Sequence, residues 1–95
     1  MKTEDRVVIE QHFVILNELG LHARAATRFV QTASRFSANI EVEKDGQRAN
    51  GKSIMGVLML VAAKGTTVRV RSEGTDASEA MKAIGDLIRN KFGED

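Results

Sequence analysis

Residues 40–50 run Ile40-Glu41-Val42-Glu43-Lys44-Asp45-Gly46-Gln47-Arg48-Ala49-Asn50. The first four alternate between apolar and acidic side chains, a period of two that is typical of a half-buried strand. Asp45 and Gly46 supply the two positive-φ positions of a type I′ turn. We therefore expect residues 47–50 to return as the paired strand of a hairpin. Such alternation needs cover on one face only, so it predicts a sheet whose other face is open.

Strands and helices are predicted on both sides of this hairpin. Upstream, Phe13-Val14-Ile15-Leu16 is a short apolar run of strand-forming residues. The segment from Ala23 to Ser34 has apolar residues at steps of three and four, which predicts a helix whose buried face comprises Ala26, Phe29, Val30 and Ala33. Downstream, Ser53 is the natural N-cap of a short helix over residues 54–59.

The C-terminal third predicts one more strand and one more helix. Thr67 to Ser72 alternates as a strand does, and Asp76-Ala77-Ser78-Glu79 resembles a capping box with Asp76 as the cap. The helix that follows has one apolar stripe, made of Ala77, Ala80, Met81, Ile84, Leu87 and Ile88. Basic residues at 89 and 91 and a glycine at 93 are typical of a helix C-terminus.

The element order is therefore β-α-β-β-α-β-α, which predicts an α+β fold. Three amphipathic helices can cover one face of the sheet and leave the other open, as a two-layer sandwich. A chain of 95 residues is enough for one domain with a modest core and too short for two. We expect residues 1–95 to form this single domain, with residues 1–8 as a loosely held N-terminal extension.

The composition disfavours several classes of function. The chain has no cysteine, which excludes disulfides and thiolate metal sites, and no other metal-ligand spacing is visible. A net charge of +1, with no tryptophan or tyrosine, argues against a nucleic-acid partner. The longest apolar stretch, residues 57–63, is too short to cross a bilayer, and the charged N-terminus leads into no signal sequence. We expect a cytoplasmic protein that needs no metal or cofactor and does not insert into membranes.

Gly20-Leu21-His22-Ala23-Arg24-Ala25-Ala26 is the candidate functional segment. It places His22 at the start of a helix, where the first N–H groups lack partners and the helix dipole is positive. A phosphate on the ring would meet these donors and the Arg24 guanidinium, so the segment suits a histidine that reversibly carries a phosphoryl group. A histidine before a helix is most often an ordinary surface residue, and the heptad alone leaves that alternative open. His12 has no companion cluster and is predicted to be such a surface residue.

Two segments together resemble the HPr family, the histidine-containing phosphocarriers of the phosphoenolpyruvate-dependent phosphotransferase system. Residues 20–26 resemble the family's active-site signature. Gly51-Lys52-Ser53-Ile54-Met55-Gly56-Val57 resembles its regulatory-serine segment. The separation of the two segments, the Asp45-Gly46 hairpin and the closing helix are also similar to the family, so the resemblance spans residues 11–91.

The resemblance implies an open-faced β-sandwich of four antiparallel strands backed by three helices. It also implies a monomeric carrier that turns over no small molecule by itself. In the family, enzyme I passes phosphate from phosphoenolpyruvate to the histidine, and the histidine donates it to enzyme IIA components. Here His22 would accept at Nδ1, since a neutral imidazole is a good nucleophile near neutral pH. Arg24 would stabilise the phosphoryl group. Ala25 stands where the family usually has proline, from which we expect a slightly less rigid helix start and retained function.

The resemblance also implies that Ser53 is phosphorylated by an HPr kinase/phosphorylase, in addition to its role as an N-cap. The partner-binding surface would comprise Leu21, Ala23, Thr27, Lys52, Ile54, Met55 and Leu58. The apolar members of this set are alternatively ordinary core residues. However, a short helix needs only one face for the sheet, so at least one of the adjacent residues Ile54 and Met55 should be exposed.

Two functional alternatives share this fold. One is a regulatory module whose Ser53-phosphorylated form binds a transcription factor or an enzyme. The other is a nitrogen-related phosphorelay, which has the same chemistry and different partners. The presence of both His22 and Arg24 favours the carrier, because a pure regulator has no need of the nucleophile.

Overall fold

The computed structural model describes residues 7–94 and confirms the α+β fold. In chain order the elements are β1 (Val7–Val14), α1 (Ala23–Ala33), β2 (Asn39–Lys44), β3 (Gln47–Asn50), α2 (Ile54–Leu58), β4 (Thr67–Gly74) and α3 (Ala77–Arg89). A 3₁₀ turn, Lys91–Gly93, follows α3. No helix within residues 7–94 has the length and apolar character that a membrane span requires.

The four strands form one antiparallel sheet in the order β1-β4-β2-β3. Val42 lies opposite Ala49 on one side and Val70 on the other, and all three are buried beneath the helices. Asp45 and Gly46 have φ values of 51° and 83°, which confirms the predicted hairpin turn. The largest fully buried side chains are Phe29, Phe92, Ile15, Leu60, Ile84 and Ile88.

The opposite face of the sheet is open and charged. Arg69 of β4 pairs with Glu43 of β2 and lies 3.7 Å from a carboxylate oxygen of Glu10 on β1. Arg71 lies 3.5 Å from the same oxygen of Glu10. These side chains are between 22% and 42% exposed. Ion pairs near a protein surface contribute only about 0–1 kcal/mol each, so the packed face contributes most of the sheet's stability.

β1 is longer than predicted and begins earlier. Val7 pairs with Gly74 and Val8 with Glu73, so these two residues belong to the sheet and not to a loose extension. The physical reason is that β4 runs on to Gly74 and offers them backbone partners. β1 is an edge strand with most of its side chains exposed, so its apolar residues do not alternate regularly as those of a half-buried strand do. Residues 1–6 lie outside the described part of the chain.

Asp76 occupies the predicted N-cap of α3, but its side chain makes no hydrogen bond to that helix. Its two carboxylate oxygens accept from the backbone N–H groups of Ser37 and Ala38, both at 2.8 Å. A carboxylate has two acceptor oxygens, so two adjacent N–H donors satisfy it more fully than a single hydrogen bond to the helix N-terminus would. The start of α3 is therefore fastened to the connection between α1 and β2.

Candidate functional site

His22 lies immediately before α1, at its N-cap position. Its backbone is extended (φ −77°, ψ −178°), and its carbonyl accepts a 2.8 Å hydrogen bond from the Ala26 N–H. The ring does not cap the helix, and 26% of the side chain is exposed. The N–H groups of residues 23–25 have no intrahelical acceptor at this end of the helix. The structure thus confirms the predicted placement of His22 beside a positive helix terminus.

The His22 ring is held at one nitrogen. Nε2 lies 2.6 Å from Oε2 of Glu94. An ionised carboxylate only accepts hydrogen bonds, so the proton of the neutral ring is on Nε2, which donates a hydrogen bond to Glu94. No hydrogen bond to Nδ1 is made by any of residues 7–94. In the neutral ring this leaves the lone pair on Nδ1, which is the nucleophilic nitrogen.

Glu94 is itself fixed by Asn17. The fully buried Asn17 amide donates from Nδ2 to Oε1 of Glu94 at 3.0 Å and to the Gly20 carbonyl at 2.8 Å. The Asn17 hydrogen bond holds the pKa of the Glu94 carboxyl below its ordinary value. The hydrogen bond and charge of His22 and the charge of Arg24 lower the pKa further, whereas partial burial opposes them. Glu94 is therefore an anion at neutral pH.

Arg24 provides the positive charge of the site. It is exposed in the first turn of α1 and lines a surface depression together with Glu18, Arg28 and Glu94. None of the carboxylates in residues 7–94 forms an ion pair with it. A guanidinium, a helix N-terminus and an unprotonated imidazole nitrogen are thus adjacent. Together they can accept and hold an anionic phosphoryl group.

The sequence patterns did not predict Asn17 or Glu94 as parts of the site. Glu94 lies 72 residues from His22 along the chain, and Asn17 lies in a turn where its burial has no local signature. The glycine at position 93 indicates the end of α3 but not where the following residue goes. Only the packing of the C-terminal segment against α1 brings these residues together.

The second predicted segment lies at the start of α2, a helix that packs against α1. Ser53 is the N-cap, as expected, and its Oγ accepts from the Gly56 N–H at 3.1 Å. Ile54 and Met55 are 43% and 66% exposed, and Leu58 is half-buried. Leu21 is only 4% exposed because its side chain belongs to the core, although it also lines the shallow pocket beside His22. Its assignment to the partner-binding surface stays a prediction.

The polar residues predicted at the rim of this surface are tied to the backbone. Thr27 Oγ1 donates to the Ala23 carbonyl at 2.8 Å, and Lys52 Nζ donates to the Phe36 carbonyl at 2.7 Å. Ala23 itself is exposed. Three further exposed apolar residues were not predicted: Leu19, Met59 and Val61. Leu19 and Val61 line a shallow pocket with His22. The apolar surface near His22 is thus larger than predicted.

The other histidine, His12, lies away from this site. It is exposed on β1 and pairs across the sheet with Arg69. Phe13, the next residue, points into the core, so His12 points to the open face. This placement is the one expected for a surface residue.

Comparisons with known proteins match the fold described above. The sequence model of the family described as "PTS HPr component phosphorylation site" matches residues 9–90. The phosphocarrier protein HPr of Neisseria meningitidis serogroup A is 52% identical over 92% of this chain and 98% of its own. That of Xylella fastidiosa is 46% identical over 93% and 99%. The crystal structure of HPr-C-His from Thermoanaerobacter tengcongensis, 52% identical, superposes with a TM-score of 0.89 over 92% of this chain and 98% of that one. The chain therefore belongs to the HPr family, the phosphocarrier proteins of the phosphotransferase system.

Proposed function

We propose that this chain carries its phosphoryl group on Nδ1 of His22, receiving it from phosphorylated enzyme I and donating it to enzyme IIA-type acceptors. The observation that supports this assignment is the 2.6 Å hydrogen bond between His22 Nε2 and Glu94 Oε2. That bond keeps the ring proton on Nε2 and leaves Nδ1 as the nucleophile. The exposed Arg24 and the start of α1 supply the positive charge that a phosphoryl group needs.

In the transfer step, the Nδ1 lone pair of His22 forms the new P–N bond as the bond between phosphorus and its donor breaks. The donor takes back the electron pair of the broken bond. Because Nε2 keeps its proton, the phosphorylated ring becomes cationic, and Glu94 balances that charge. Arg24 and the first N–H groups of α1 stabilise the phosphoryl oxygens. A helix terminus contributes only about 0.3–1 kcal/mol per charge at an exposed site, which suits a group that must leave again.

The donor and the acceptors use one surface in this proposal. It comprises the apolar residues Ile54, Met55 and Leu58, with Ala23, Thr27 and Lys52 around them. Two of the apolar side chains are exposed without a core to fill, and methionine adapts to partners of different shape. Leu21 supports this surface from within the core.

Ser53 is the proposed regulatory site, modified by an HPr kinase/phosphorylase. Its Oγ already lies at the N-cap of α2, where a phosphate gains from the free N–H groups and the dipole. The added charge, about −1.5 to −2 at neutral pH, would lie beside the exposed Ile54 and Met55. Binding of a partner through these apolar side chains would then require desolvation of the phosphate, which weakens it.

Phosphoryl transfer from phosphoenolpyruvate through a cognate enzyme I tests the His22 assignment. Intact mass should show one added phosphate on the wild type and on His12→Ala, the matched control, and none on His22→Ala. The phosphate should be labile to acid and stable to alkali. An unmodified wild type beside an enzyme I with demonstrated activity would overturn the carrier proposal and favour regulation through Ser53. Phosphate retained on His22→Ala would overturn the choice of residue.

Incubation with an HPr kinase and ATP tests the regulatory site. Ser53→Ala should take up no phosphate, whereas the control Ser78→Ala should behave as the wild type does. Purified Ser53-phosphorylated protein should show a higher KM in transfer from enzyme I. An unchanged KM would contradict the proposed effect on docking, and labelling of Ser53→Ala would contradict the site.

A further inference from the structure

The C-terminal segment turns back in a strained conformation. Lys91, Phe92 and Gly93 have φ values of 56°, 56° and 75°, three consecutive residues in the left-handed region. Glycine adopts this region freely, whereas residues with a Cβ do so at a cost in energy. Two such residues in succession persist only where the surrounding structure imposes them, and such strain is concentrated at functional sites.

Phe92 is what imposes the strain. Its side chain is 0% exposed and belongs to the main hydrophobic core. The Arg28 guanidinium of α1 donates a hydrogen bond to the Phe92 carbonyl. A Cβ at Gly93 would lie 3.1 Å from Nη1 of Arg28, so α1 holds the turn closely on that side as well. The buried Phe92 ring and the hydrogen-bonded Phe92 backbone carbonyl thus fix the path of the chain after α3.

The turn over residues 91–93 places Glu94 beside His22 and Asn17. The Glu94 N–H donates to the Lys91 carbonyl at 2.8 Å, which closes the turn. From there the two carboxylate oxygens reach Nε2 of His22 at 2.6 Å and Nδ2 of Asn17 at 3.0 Å. Glu94 is only two residues beyond Phe92, so a shift of the ring moves the carboxylate.

We propose that Phe92 is a positioning residue for the phosphocarrier site: it anchors the strained turn over residues 91–93 so that Glu94 holds Nε2 of His22 and Nδ1 stays free. The kinetic consequence rests on the proposed function of His22. The geometric consequence, the hydrogen bond between Glu94 and His22, does not. The C-terminal segment therefore orients the His22 ring as well as contributing Phe92 to the core.

The hydrogen bond is measured by NMR on the full chain, as exchange protection of the Hε2 proton of His22. Phe92→Ala should lose this protection as Glu94→Ala does, since alanine removes the acceptor, and the milder Phe92→Leu should lose part of it. Ile84→Ala, which empties the core elsewhere, is the control and should keep it. Undiminished protection in either folded Phe92 variant would overturn the proposal, and Phe92→Leu serves where Phe92→Ala does not fold.

A double-mutant cycle on transfer from enzyme I shows whether Phe92 acts through Glu94. Each single variant, Phe92→Ala and Glu94→Ala, should slow transfer by about 10-fold, the lower end of the effect of removing a residue that orients a metal-ligating histidine. The double variant should be no slower than Glu94→Ala, because the two changes remove the same interaction. Multiplying effects would overturn the positioning role. If His22 were not the acceptor, transfer would not respond to these variants, while the loss of Hε2 protection would still be seen.

Discussion

Gly20 faces the carbonyl oxygen of Ala62 so closely that a Cβ at position 20 would lie 2.4 Å from it. The same oxygen accepts from the Leu21 N–H at 2.9 Å. Leu21 directly precedes His22, so the connection between α2 and β4 determines how the chain enters α1. Gly20 has a φ of 66°, and both its conformation and the close contact require glycine.

Gly20→Ala should therefore lower the free energy of unfolding by about 2–4 kcal/mol, since it adds a backbone clash to left-handed strain. Gly65→Ala is the matched control, with a φ of 87° and no atom within 4 Å of the added Cβ. It should lose about 1 kcal/mol from strain alone. Urea denaturation measures both variants. Equal losses would contradict the close contact at Gly20.

At position 61 the situation is reversed, because the backbone conformation there favours glycine but the residue is Val61. It has a φ of 50° and is 73% exposed, so a β-branched residue is strained there with little burial in return. Val61→Gly should raise the free energy of unfolding by about 0.5–1 kcal/mol, the relief of strain exceeding the entropy cost of glycine.

The exposed Val14 on β1, whose φ is not positive, provides the control for Val61. Val14→Gly should lower the free energy of unfolding by about 0.5–1 kcal/mol, because glycine is unfavourable in a strand. Thermal or urea denaturation of the two variants should shift the midpoint in opposite directions. A loss of stability in both would show that Val61 is not strained.

The parts of the fold that sequence patterns predicted are those with local causes. The alternation over residues 40–43, the turn at Asp45-Gly46 and the apolar stripe of α3 each depend on neighbouring residues, and each was confirmed. The starts of α1 and α2 were likewise visible, which placed His22 and Ser53 correctly. The resemblance to a family added that all four strands run antiparallel.

The remaining features depend on contacts between distant segments. Asp76 was predicted as a cap because aspartate favours that position, but the tertiary fold brings the N–H groups of Ser37 and Ala38 to its carboxylate. Glu94 joins the site for the same kind of reason, through the burial of Phe92. No local periodicity encodes such pairings, so the Glu94 carboxylate that holds the His22 ring could be found only from the structure.

Asp76→Asn tests the contact that fastens α3. An amide has one acceptor oxygen, so one of the two N–H groups would face a donor instead. We expect the free energy of unfolding to fall by about 0.5–1.5 kcal/mol, the usual net contribution of one hydrogen bond, because the Ser37 bond is exposed and the Ala38 bond is only partly buried. Amide hydrogen exchange at Ser37 and Ala38 should also accelerate. Asp86→Asn, on the exposed face of α3, is the control and should change neither quantity appreciably. Unchanged exchange in Asp76→Asn would contradict the double contact.

The depressed pKa of Glu94 predicts how its contribution varies with pH. A carboxyl whose pKa is lower in the folded state stabilises the fold fully above its ordinary value of 4.5, and the contribution is lost as the pH falls through the folded pKa. The loss of stability caused by Glu94→Gln should therefore be largest at neutral pH and should shrink as the pH falls below 4.5 and through the folded pKa. Asn17→Ala removes the main cause of the shift, so the Glu94 pKa, followed by NMR of the carboxyl carbon, should rise in that variant. A difference between wild type and Glu94→Gln that grows on acidification would mean that the carboxylate destabilises the folded chain, contrary to its two hydrogen bonds.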